Sequence, residues 1–172
     1  MRSPPGEWGS GEVAHGGPDS EPVTERVEHS DAARRRRRWL LLLGGLTTLF
    51  GVLHHVDHLA RGNHVGWPWS DTVSAFTFGL LVYPFLLSGF ALLAVGRAVP
   101  LYWAAVGIAS SILVATTHLG PDPAEPLRDV VRPYDNGLIG ALAVSVLVAL
   151  LASTVALTIT AAAFAWRSAQ ES

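Results

Sequence analysis

The chain has 172 residues, 49% hydrophobic and 15% charged, with mean hydropathy +0.34 and a formal net charge of −2. A soluble domain carries about a quarter charged residues; here the few charges gather before Trp39 and in short loops, the distribution of a multi-spanning membrane protein. Cysteine and lysine are both absent, which excludes thiolate zinc sites, iron–sulfur clusters, disulfides and any lysine nucleophile or Schiff base.

Residues 1–33 are rich in Gly, Pro, Ser and Glu and carry seven acids against Arg2 and Arg26. Such a segment buries too little apolar surface to offset its ordering entropy, so it reads as a disordered acidic tail. Arg34 to Arg38 close that tail, giving an N-terminal region 1–38 that ends in a basic anchor. The anchor precedes a long apolar run with no small-residue cleavage site, and further apolar segments follow. It therefore reads as the flank of a first transmembrane helix, not as a signal peptide or a nucleic-acid patch. No nucleic-acid partner is expected.

Four spans follow in residues 39–167, at about 39–59, 71–95, 101–119 and 136–166, with a short tail 168–172. Each is long enough for the roughly 20 residues that a bilayer core requires. Ser70 or Asp71 is a suitable cap for the second span, and Pro84 is expected to kink it. Trp39, Trp67, Trp69, Tyr102, Trp103, Tyr134 and Trp166 fall near the expected interfaces. The fold expected is an all-α integral membrane protein, an antiparallel up-down bundle of four helices.

Arginine placement sets the orientation. Arg34 to Arg38, Arg97 and Arg167 fall on one side, and Arg61, Arg128 and Arg132 on the other. The arginine-rich side is cytoplasmic by the positive-inside rule, so both termini are inside and loops 60–70 and 120–135 are outside. The localisation implied is the plasma membrane, with the bilayer as first partner and a homo-oligomer or larger membrane complex as a second. Abundant Ala, Arg, Gly and Val without lysine fits a GC-rich bacterial genome.

Against this frame His54-His55-Val56-Asp57-His58 falls at the outer end of the first span, and Thr117-His118 at the outer end of the third. Ionisable groups at the edge of hydrocarbon are costly and count as functional candidates by default. Gly44, Thr47, Thr48, Gly51, His54, His55 and His58 recur at steps of three and four. Gly107, Ser110, Ser111, Val114, Thr117 and His118 form a similar stripe. Small residues in such stripes mark close helix packing, so both histidine-bearing ends should turn into the bundle.

His54 and His58 are spaced i, i+4 and can share one ion, with His118 joining from the third span. Asp57 is a ligand or orienter, His64 a possible further ligand on a loop that can fold back, and Asp122 a candidate base. Loop 120–135, stiffened by prolines, can cap the pocket. Neutral imidazoles suit a divalent transition metal such as Zn or Fe, serving hydrolysis or redox chemistry. Two other readings stay open: a b-type haem between His54 or His55 and His118 in an electron-transfer subunit, and a non-catalytic subunit with a pH-sensitive polar plug. Whether the chain is an enzyme stays open as well.

Overall fold

The computed structural model describes residues 23–61 and 75–170, with side chains from Asp31 in the first stretch and from Phe78 in the second. Residues 1–22, residues 62–74 with His64, Trp67, Trp69, Ser70 and Asp71, and the last two residues lie outside the described part. All described elements are helices: α1 (Val23–Ala60), α2 (Ala75–Leu80), α3 (Val82–Ala94), α4 (Pro100–Leu119), α5 (Leu127–Val131) and α6 (Gly137–Gln170). Three helical stretches are long and apolar enough to cross a membrane: Asp31–Ala60, Pro100–Leu119 and Gly137–Gln170. Phe78–Ala94 is apolar but shorter.

α1 starts well before Trp39, so residues 23–38 are helical and not part of an unstructured tail. The local chemistry explains this. Pro22 can start a helix, acidic Glu25 and Glu28 lie in its first turns, and Asp31 pairs with Arg34 one turn on. At the other end of that arginine run, Arg37 Nε donates to the Leu93 carbonyl at 3.3 Å, and the Arg36 guanidinium lies 5.8 Å from the Phe164 ring centre.

The kink expected at Pro84 takes the form of a break at Leu81, between α2 and α3. A proline removes its own N–H and crowds the carbonyl four residues back, here that of Leu80, the last residue of α2. Leu81 N–H instead bonds the Phe78 carbonyl at 3.0 Å, and Pro84 itself sits in the first turn of α3, where proline is tolerated. α3 ends on Gly96 at φ +79°, with Arg97 N–H bonding Leu92 O (2.7 Å) and Gly96 N–H bonding Leu93 O (3.1 Å). That left-handed cap needs glycine. Asn136 caps α6 by accepting Leu138 N–H on Oδ1 at 2.9 Å.

Packing depends on small residues. Trp103 of α4 is fully buried, contrary to its expected place at the interface. Its ring fills the space over two glycines: a Cβ on Gly44 of α1 would fall 2.8 Å from it, and one on Gly89 of α3 would fall 2.7 Å away. Leu40, Leu43, Leu86, Leu93 and Leu157 complete this apolar core. α6 packs against both α1 and α4. Thr47 meets Ser153 at 3.4 Å and Ser111 donates to Thr154 at 2.9 Å. Trp103 lies beside Gly44 and His118 beside His54, so α1 and α4 run in the same sense.

Both small-residue stripes therefore face the helix contacts, and leucines such as Leu42, Leu87 and Leu101 are left on the outer surface for lipid. A Cβ on Gly107 would fall 2.4 Å from Thr158 Oγ1 and 3.2 Å from the Thr154 carbonyl of α6. The Gly107→Val variant is expected to destabilise the folded chain by about 1–3 kcal/mol through overpacking, read as a lower melting temperature in detergent micelles. An unchanged melting temperature would contradict this α4–α6 contact.

Candidate metal centre

The inward stripe of α1 ends in His54 and His58, one turn apart, and the inward stripe of α4 ends in His118. All three are buried. His54 Nε2 lies 3.2 Å from His118 Nε2 and 3.1 Å from His58 Nε2. One ligand atom from each residue can be chosen so that all lie within 4.8 Å of one another, a group able to hold a metal ion.

The separations are informative. Two nitrogens bound at about 2.0–2.1 Å in tetrahedral geometry sit about 3.3–3.4 Å apart. The two measured contacts fall within a few tenths of that. The tautomer of His118 also fits: its Nδ1 donates to the Glu125 carbonyl at 2.8 Å, so the neutral ring offers Nε2 as a lone pair. This is the usual outer support of a ligating histidine.

Glu125, which the sequence did not single out, enters the site through the turn after α4. Its N–H returns to the Thr117 carbonyl at 2.9 Å, folding residues 120–125 back over the end of α4. The carboxylate is buried: Oε2 lies 3.3 Å from His58 Nε2 and 3.7 Å from His118 Nδ1, and Oε1 accepts from Arg61 Nη1. Loop 120–135 thus covers the cluster as expected, with α5 and the buried Val130 seated against α6.

Arg61 holds this cover down. Its side chain is 2% exposed, its Nε donates to Asp57 Oδ2 at 2.8 Å, and Nη1 also reaches the Asp129 carbonyl at 3.2 Å. Asp57 Oδ1 accepts from the Tyr134 hydroxyl. Burial lowers the Arg61 pKa, but Glu125 and Asp57 more than offset it and hold the guanidinium above its ordinary value. Burial, together with the bond to Asp57, raises the Tyr134 phenol. This end of the bundle therefore buries two carboxylates and one guanidinium, leaving one negative charge that a cation among the histidines would offset.

The other expected site residues separate. Asp57 directly precedes His58 on α1, but both of its oxygens are engaged, by Arg61 and by Tyr134, and it is outside the ligand group. His55 turns toward α2 and α3: its Nδ1 is 2.9 Å from the Gly51 carbonyl and 2.7 Å from the Tyr83 hydroxyl, and a Cβ on Gly79 would fall 3.0 Å from Nε2. His118 faces His54, so His55 and His118 do not oppose each other across one gap, as a haem pair must. Asp122 is exposed, and Glu125 is the carboxylate that lines the cavity beside the triad. His64 lies outside the described residues.

No protein-family model, curated protein or solved structure matches this chain.

Removing Arg61 leaves Asp57 and Glu125 buried without their counter-charge, which typically costs about 3–5 kcal/mol. Arg61→Met is expected to lower thermal stability sharply in micelles, and adding Asp57→Asn with Glu125→Gln to recover most of it. No recovery in the triple variant would show that Arg61 acts through packing and not through charge.

Proposed function

We propose that this chain is a four-span, up-down membrane bundle whose outward-facing end holds one divalent transition-metal ion on His54, His58 and His118. The observation that supports this most is the convergence of the three imidazoles, with His54 Nε2 at 3.1 and 3.2 Å from its two neighbours. On this reading α2 and α3 together form the second span, broken at Leu81, and both termini are cytoplasmic. The arginine asymmetry supports that orientation.

Three neutral imidazoles suit Zn, Fe, Cu or Ni, and three protein ligands leave a coordination position open. An ion in that state supplies Lewis acidity and a bound water of lowered pKa. The chain's own residues would orient it and offset part of its charge. The Glu125 carbonyl sets the His118 tautomer, its carboxylate faces His58, and Arg61 fixes that carboxylate in place. The reading is a metal-binding membrane protein with an open position for a small ligand, consistent with hydrolytic or redox chemistry. Haem is disfavoured because His55 is turned away and the adjoining cavity, about 230 Å³, lies below the roughly 300–1000 Å³ of common ligand pockets.

The 3.3 Å approach of Glu125 Oε2 to His58 Nε2 favours one second reading, a polar plug in which a proton on His58 supplies the missing positive charge. Metal analysis separates the two. Protein purified from membranes without a polyhistidine tag, then dialysed against trace zinc, is expected to carry one ion per chain. His54→Ala with His58→Ala is expected to carry less than a tenth of that, with no Soret band in either preparation. A correctly folded wild-type chain that takes up no zinc, iron, copper or nickel would contradict the metal reading and leave the plug.

A further inference from the structure

Inward of the histidines lies a cavity of about 230 Å³ between α1, α3, α4 and α6. Leu86, Leu113, Val114 and Leu150 give it an apolar wall, while Gly51 and Gly79 leave it room. Two polar atoms in its lining are buried without a hydrogen-bond partner among the described residues: Ser110 Oγ and His54 Nδ1. Ser110 is only 6% exposed and His54 5%. Native chains rarely bury such groups unsatisfied, and a group at membrane depth has no bulk water to turn to. Polar edges set in an apolar wall are the ordinary make-up of a small-molecule site. An apolar cavity of about 150 Å³ already accepts a six-membered ring, so this one has space for such a ring with one polar substituent.

We propose that this cavity is a binding site for a small, uncharged, chiefly apolar molecule carrying a single hydroxyl or carbonyl oxygen, with Ser110 holding that oxygen and the histidine cluster closing the outer end. Apart from Glu125 at the histidine end, the described lining carries no Asp, Glu or Arg, so a charge placed next to Ser110 would be stranded, and an anion would also meet that carboxylate. The size excludes a lipid or a haem. The part of this inference that places the ligand beside a bound ion rests on the metal reading above; the cavity and its preference do not.

The test uses radiolabelled cyclohexanol and cyclohexane with the full chain in lipid nanodiscs, zinc-loaded and zinc-free, against empty discs. Saturable uptake of one cyclohexanol per chain is expected in both zinc states. Ser110→Ala is expected to weaken cyclohexanol about tenfold, as for loss of one buried hydrogen bond, and to leave cyclohexane binding unchanged. Val114→Trp, or Leu86→Phe should the first variant not fold, is expected to abolish uptake of both while zinc content stays at the wild-type level. Uptake no greater than that of empty discs would mean the cavity holds only water, and the proposal fails. Binding that survives both filled variants would place it elsewhere, and it fails again. Cyclohexanol binding by a chain that never takes zinc would overturn the metal reading alone.

Discussion

Arg61 is the charge on which the histidine-bearing end of this molecule depends. Two carboxylates, Asp57 and Glu125, are buried beside it at the rim of the bundle. Buried ions persist only when paired and hydrogen-bonded. Arg61 meets that condition for both, and through them it joins α1 to the loop after α4 and to Tyr134 ahead of α6. The position of Glu125 then decides two histidines: its carbonyl orients His118 and its carboxylate faces His58. One guanidinium thus sets the cover, the tautomer and the charge of the cluster beneath it.

The half of the bundle around Trp103 solves a different problem. Lipid is as apolar as leucine, so apolar side chains give membrane helices little reason to prefer one another, and close packing must supply it. Gly44 and Gly89 admit the Trp103 ring, and Gly107 lets α4 approach the backbone of α6. Thr47, Ser111, Ser153 and Thr154 add hydroxyl contacts along the same seam. The helices are thereby held at fixed rotation. A small turn of α1 would carry His54 and His58 away from His118, so the packing around Trp103 prepares the geometry of the histidine end.

Much of this was legible in the residues because both governing patterns are local. The stripes ending at His58 and His118 have helical period, and the period alone turns them inward. Pro84 announced a break, although the proline's effect falls on the carbonyl of Leu80 and so places it at Leu81. What stayed hidden required contacts distant in sequence. Glu125 looked like one of several loop acids, and only the bond from its N–H to the Thr117 carbonyl carries it under the loop. Arg61 stood four residues from Asp57, a readable pair, but its reach to Glu125 spans 64 positions. Trp103 resembled an interfacial aromatic because its position in the chain gives no sign of the two glycines facing it. The helix from Val23 was obscured by composition: Gly and Pro dominate the first twenty residues and colour the reading of those that follow.

The central claim is that three imidazole nitrogens hold one ion at one end of the bundle. X-ray absorption at the zinc edge of the loaded wild-type protein measures that directly. A first shell of three nitrogens at about 2.0–2.1 Å with imidazole outer-shell scattering, plus one light atom, is the expected result. A shell of oxygens alone, or a spectrum unchanged on replacing His118 with alanine, would contradict it.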